Sequence, residues 1–324
     1  MGDYKVISFI GNVKNAGKTT VMNSYLKYLD SDVAITSIGL DGEEIDQVTL
    51  LEKPQIFVKQ GNYIATAIET LANFTCKYEV LKETNINTSI GKVVIVKVLS
   101  EGKALVAGPA KVNEMVELIN HLNSYQLSKI LIDGAFSRQV FVKISQAVVL
   151  VIGANYSRNI DLVVKDASLI SRKLSLQVNF DYKFYSTDKI SLIDFNGKNT
   201  NLRYSSIIGN VEDFFSNSFD NIKTVCFPKS LTNLFVEKLI SERKRCKFNI
   251  TIDSAVNIQI RDDLLEKLFK LENKIYVVNP INLAVICYNP FSPKGYEFND
   301  EEFKDKLELA LNREVINVLK DGSK

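Results

Sequence analysis

The sequence is short of metal ligands, of charge imbalance and of long apolar runs, and each shortage removes a class of function. Its four cysteines, Cys76, Cys226, Cys246 and Cys287, stand far apart, with no CxxC pair and one histidine in the whole chain. A structural zinc site needs clustered ligands, so the cysteines read as reduced thiols packed like small hydrophobes. Forty Lys plus Arg against 38 Asp plus Glu leave a net charge of +2, too little for nucleic-acid binding driven by the bulk field. No apolar run reaches the roughly 20 residues of a membrane span. The opening MGDYKVISFIG has neither the basic-then-apolar layout of a secretory signal nor the Ser or Thr that myristoylation needs at Val6. The expectation is a cytoplasmic protein with no membrane partner. No internal repeat or low-complexity tract is visible.

What is present is the balance of a globular chain: 324 residues, 46% hydrophobic and 24% charged, enough for about two domains at ~150 residues each. Lys5 to Ile10 reads as a strand, and Thr19 to Leu29 as a helix with Val21, Tyr25, Leu26 and Leu29 on one side. Val33 to Ile38 and Gln55 to Lys59 read as further strands, and Tyr63 to Phe74 as a helix opened by Gly61 and Asn62. Tyr78 to Glu83, Lys92 to Leu99 and Ala104 to Ala107 suggest a small antiparallel insertion. A helix after Pro109, strands at Ile130 to Ile132 and Ala147 to Ile152, and a helix from Ile160 to Leu174 follow. Continuous apolar strands separated by helices imply a parallel sheet covered on both faces. A shift toward Asn, Lys, Tyr and Phe places a boundary near 180, dividing the chain into 1–180 and an α/β or α+β region over 181–324. In that region Asn196-Gly197 predicts a hairpin, Leu231 to Arg243 a helix and Phe248 to Ile252 a strand.

Between the first strand and first helix lies GNVKNAGKTT, Gly11 to Thr20. Strand, glycine-bearing loop and helix are the setting in which backbone N–H groups and the positive end of a helix dipole hold phosphate oxygens. The segment is therefore read as the phosphate-binding loop of a P-loop NTPase, with Gly11, Asn12, Val13, Lys14, Asn15, Ala16, Gly17, Lys18, Thr19 and Thr20 contacting ATP. Lys18 would reach the β- and γ-phosphates and Thr19 would ligate Mg²⁺. Strict GxxxxGK[ST] requires Gly at position 12, where this chain has Asn12; Asn tolerates positive φ better than other non-glycine residues, so the loop is expected to survive the change.

Asp133, delivered by Ile130-Leu131-Ile132 to the carboxyl edge of the sheet, is the candidate carboxylate for Mg²⁺ or its water, and Gly134 to Arg138 the candidate γ-phosphate sensor. The acidic loop after the second strand offers Asp41 first and Glu43 second as catalytic or metal-binding carboxylates, against the plainer reading of a solvated loop. Asn155, after the strand Ala147 to Ile152, is a candidate base reader. Lys14 lies four positions before Lys18; in ATPases that dimerise over their nucleotide a signature lysine lies five before, so a catalytic Lys14 reaching into a homodimer partner is an analogy only. The absence of an NKxD-type segment tilts the base toward adenine. Arg243, Lys244, Arg245 and Lys247 read as cations at a helix C-terminus rather than a nucleic-acid patch.

Taken together, GNVKNAGKTT, TSIGLDGEEID, GNYIATA, LIDGAFSR and NPFSPKGYEF resemble the P-loop family of the reactivase subunit that serves the adenosylcobalamin-dependent lysine aminomutase of amino-acid fermentation. The resemblance implies an ATPase that works beside a MutS-like partner subunit and exchanges damaged cobalamin from an inactivated mutase, with 181–324 as the partner-binding part. It carries Lys18, Thr19 and Asp133 as nucleotide residues and no mutase contact. Two other classes stay open: a small-molecule kinase or ATP-dependent ligase of the dethiobiotin-synthetase type, and a partitioning ATPase of the ParA/MinD type.

Overall fold

The computed structural model describes residues 4–30, 32–39, 55–134, 142–179, 188–317 and 319–320. The chain forms two compact units, one made of Met1–Ala167 with Leu283–Lys324 and the other of Ser168–Asn282.

The first unit opens with β1 (Val6–Gly11), α1 (Lys18–Lys27) and β2 (Val33–Ser37). There follow β3 (Ile56–Val58), β4 (Tyr63–Ala67), β5 (Tyr78–Thr88), β6 (Gly91–Val98) and β7 (Gly102–Ala104). Then come α2 (Val112–Asn123), β8 (Lys129–Asp133), β9 (Ala147–Gly153) and α3 (Ile160–Leu174), inside which the unit boundary falls. The second unit carries β10 (Ser191–Asp194), β11 (Asn199–Asn201), α4 (Val211–Phe215), β12 (Ile222–Phe227), α5 (Asn233–Ser241), β13 (Asn249–Ile252), α6 (Asp262–Phe269) and β14 (Ile275–Val277). The chain then returns to the first unit with β15 (Leu283–Asn289), the short pair β16 (Phe291–Ser292) and β17 (Tyr296–Glu297), α7 (Asp300–Leu311) and β18 (Ile316–Asn317).

The large sheet of the first unit has the order β18-β15-β9-β1-β8-β2-β4-β6-β5. From β18 to β4 every neighbouring pair is parallel, and β6 and β5 extend the edge as antiparallel strands. All residues of β1, β8 and β9 are buried, as expected of strands covered on both faces. Alternation divides their side chains between two cores. Ile7, Phe9, Leu131 and Val149 pack with Met22 and Leu26 of α1, while Val6, Ile130 and Ile132 pack with Met115, Leu118 and Leu122 of α2. The first unit is thus mixed α/β, with a large, mostly parallel sheet.

The second unit has a five-stranded sheet of order β11-β10-β12-β13-β14, with β12, β13 and β14 parallel and β10 antiparallel to both β11 and β12. Its core centres on Phe214, whose ring lies within 5.1 to 6.2 Å of those of Phe215, Phe219, Phe227, Phe235 and Phe248. At ~1.5–3 kcal/mol for each large apolar side chain removed from water, that cluster alone offsets the ordering of many residues. The β10–β11 hairpin turns at Gly197, whose φ is 82°.

Two expectations are corrected. The division at 180 is replaced by a unit that ends at Asn282, because β15 pairs in parallel with β9 and β18 with β15. The expected helix Tyr63 to Phe74 is β4 followed by a 3₁₀ turn, Ile68–Asn73; Ala65 and Thr66 find strand partners in Ile95 and Val94 of β6, and that pairing outweighs local helix preference. The expected strand within Gln55 to Lys59 is present as β3, which pairs antiparallel with β7 outside the large sheet. Among the described residues no helix is long and apolar enough to cross a membrane.

Candidate functional site

The carboxyl edge of the large sheet gathers the ends of β1, β8, β9 and β15. Central parallel strands leave their last residues at one edge, where loops rather than side-chain layers fill the space. The Asn12–Gly17 loop leaves β1 there and enters α1. Gly17 caps the helix at φ 107°, ψ 15°; no side chain caps the helix N-terminus and its first turn holds no acidic residue. The positive end of the α1 dipole is therefore uncompensated by its own element, which is the condition for binding an anion. Within the loop Ala16 is fully buried, whereas Lys14, Asn15 and Thr20 are exposed and Val13 and Lys18 half-buried. Gly153 at the end of β9 permits this packing: a Cβ there would lie 2.7 Å from Ala16 Cα and 2.6 Å from Asn155 Oδ1.

Asn12 does not do what its position in the motif suggested. Positive φ falls at Asn15, at 60°, and not at Asn12. Asn12 is instead buried and doubly used: its Nδ2 donates to Asp166 Oδ2 of α3 across 2.9 Å, and its Oδ1 accepts from the backbone N–H of Gly153 at 2.9 Å. Its own backbone N–H donates to the Val151 carbonyl at 3.1 Å. A glycine could make only the last of these.

Thr19, in the first turn of α1, donates from Oγ1 to Asp133 Oδ2 at 3.0 Å, and both residues are buried. The other carboxylate oxygen, Asp133 Oδ1, is buried and has no hydrogen-bond partner among the described residues. A buried carboxylate oxygen without a donor is costly, and a cation or a cation's water would satisfy it. The set fits Mg²⁺, which takes oxygen ligands, keeps several waters and is commonly held by one or two protein oxygens together with substrate phosphates. Among the described residues no group of three or more His, Cys, Asp or Glu could hold a metal without such help.

Asn155, expected to face a base, donates from Nδ2 to the Lys14 carbonyl at 2.6 Å, so in this structure it holds the loop. Asp41 and Glu43 lie outside the described residues, as do residues 135–138 of the expected sensor segment; Gly134 donates its N–H to the Phe9 carbonyl at 2.8 Å. In the second unit Arg245 donates to Glu242 Oε2 at 2.5 Å and to the carbonyls of Phe215 and Asn217 at 3.1 and 3.2 Å, so at least one member of the basic cluster has a structural use.

The structure also brings forward residues that the motif did not single out. Asp166 of α3 and Asn289, the last residue of β15, both reach the loop region. Asn289 stands opposite Gly153 in the register of β15 and β9. A polar residue ending an apolar strand is the available signal, the same one that marks Asp133, but LAVICYN lies within 181–324, and only its pairing with β9 brings Asn289 to the loop. The chain matches no protein-family model, and no curated protein or solved structure matches it.

Proposed function

We propose that the protein is a P-loop NTPase, a Mg-ATP-dependent nucleotide switch that hydrolyses ATP and acts on a protein client. The observation that carries the reading is the buried Thr19–Asp133 pair with its partnerless Oδ1, set beside an uncapped helix N-terminus that begins at Lys18. In this reading the loop N–H groups and the α1 dipole hold the β-phosphate, and the Lys18 ammonium neutralises the β- and γ-oxygens. Thr19 Oγ1 and Asp133 would hold Mg²⁺, which when bound draws charge from the terminal phosphates. Asp41 or Glu43 orients the attacking water. In this reading the exposed Lys14 would act on a second copy of the chain.

The client, an inactivated adenosylcobalamin-dependent lysine aminomutase engaged beside a MutS-like subunit in the cytoplasm, rests on the sequence resemblance alone. The physics required of such a switch is modest. A mutase releases a damaged cofactor only from an open conformation, and a partner whose affinity for that conformation differs 100-fold between nucleotide states supplies ~3 kcal/mol. Mixing the protein with inactivated aminomutase, partner subunit and Mg-ATP is expected to restore turnover. Equal restoration by Lys18→Ala would remove ATP from the mechanism. The kinase or ligase reading draws on the antiparallel strands β6 and β5; a metabolite that accelerates ATP hydrolysis many-fold without a protein partner would favour it.

A further inference from the structure

Asn12 stands where the strict motif has glycine, and its side chain does what no glycine could: it ties the first residue of the loop to α3. Both partners are buried, Asn12 at 1% and Asp166 at 7% exposed, and the 2.9 Å bond between them spans 154 residues of sequence. With the Gly153 N–H donating to Asn12 Oδ1 and the Asn12 N–H donating to the Val151 carbonyl, the residue is held at three points. Any shift of the loop start away from α3 leaves a buried carboxylate short of a donor, which is costly.

Asp166 is the last residue but one of α3 in the first unit, and the helix continues through Ser168 to Leu174 in the second. There Leu169 packs against the apolar core, and the Arg172 guanidinium donates to the Phe269 carbonyl at 3.0 Å and lies 4.3 Å from the Phe269 ring centroid. Phe269 is the last residue of α6 and a member of that core. At ~1.5 Å of rise per residue, Asp166 and Arg172 sit about 9 Å apart along one hydrogen-bonded helix. Over less than two turns such a helix carries both contacts together. A phosphate held by the loop N–H groups fixes the loop backbone and with it the root of the Asn12 side chain. The ordering that the Asp166 contact requires is then already met, so occupancy of the loop favours the bonded, ordered state of α3.

We propose that α3 carries the state of the phosphate loop into the second unit, with the Asn12–Asp166 bond as its input and the Arg172–Phe269 contact as its output; Asn12 and Asp166 are positioning residues in this coupling. The proposal rests on the phosphate-loop reading and gives that switch its route to the rest of the chain. The test is hydrogen–deuterium exchange of the full chain with and without saturating Mg-ATP, in wild type, Asp166→Ala, Asn12→Gly and Asp166→Asn. In wild type, Mg-ATP is expected to slow exchange in residues 11–20 and also in residues 168–174, the latter at least about fivefold, the lower end of the usual coupling between sites. Asp166→Ala and Asn12→Gly break the input from opposite sides, so either one serves if the other fails to fold. Both are expected to keep the slowing at 11–20 and lose it at 168–174. Asp166→Asn retains an acceptor for the Asn12 amide and is expected to recover it, which a purely structural loss would not. Exchange at 168–174 that ignores Mg-ATP in wild type overturns the proposal, and so does slowing there that survives in the two input variants. If Mg-ATP leaves residues 11–20 of wild type unchanged, the phosphate-loop reading has failed and takes this inference with it.

Discussion

Thr19 Oγ1 donates to Asp133 Oδ2 across 3.0 Å, joining the first turn of α1 to the end of β8 over 114 residues of sequence. The bond exists because β1 and β8 are adjacent parallel strands, with Phe9 in register with Asp133. The helix that follows β1 is thereby set over the end of its neighbour.

Asp133→Asn retains an oxygen for Thr19 and removes the charge. Mg-ATP affinity is expected to fall at least about tenfold, while affinity measured in excess EDTA stays at the wild-type value, because only the metal-dependent part requires the carboxylate. Titration calorimetry in both buffers checks this, and an equal loss with and without Mg²⁺ would assign Asp133 a purely structural role.

Asn12→Gly restores the strict phosphate-loop pattern and should nevertheless destabilise the protein. The substitution removes two buried side-chain hydrogen bonds, at about 1 kcal/mol each, and adds the backbone freedom of glycine, at about 0.5–1 kcal/mol. A loss of ~2–3 kcal/mol in urea denaturation is expected; a variant as stable as wild type would show that the Asp166 and Gly153 contacts contribute nothing net.

Gly17→Ala forces a Cβ into a backbone with φ 107° and to within 3.1 Å of Asn289 Nδ2. Left-handed backbone costs a non-glycine residue ~1–2 kcal/mol before any clash. Denaturation is expected to show at least that loss, and nucleotide binding to fall as the N-cap shifts. Wild-type stability and affinity together would contradict the N-cap geometry.

Lys173, in the last turn of α3, has its ammonium pushed down to about 8 by burial, against the opposing pull of Asp262. In the unfolded chain a lysine titrates near ~10.4, so between about pH 8 and that value the unfolded state holds a proton the folded state has released. Stability contributed by this group therefore rises with pH across that window. Lys173→Met is expected to be the more stable protein at pH 7 and to lose this rise; identical pH slopes from 7 to 10 for variant and wild type would refute the assignment.

The strand, glycine-bearing loop and helix around Gly11 to Thr20, the strand ending in Asp133 and the hairpin at Gly197 were legible because each is a local pattern: an apolar run, then the residue types its end requires. The placement of β15 was not. LAVICYN reads as a buried strand wherever it occurs, and nothing in it says that its partner is β9 rather than β14. Asn289 becomes a neighbour of the loop only through that pairing. Asn12 failed for a related reason, since the motif specifies a backbone and the structure uses the side chain.

Composition and periodicity by themselves determined an α/β protein with a mostly parallel sheet and a glycine-bearing loop between its first strand and first helix, because burial on both faces demands continuous apolar strands and a tight turn demands glycine. Which strand ends meet, and therefore that Thr19, Asp133, Asn12, Asp166 and Asn289 surround one loop, was decided by long-range pairing. Those contacts depend on sheet order, and sheet order is a property of the whole packed core that no window of sequence contains.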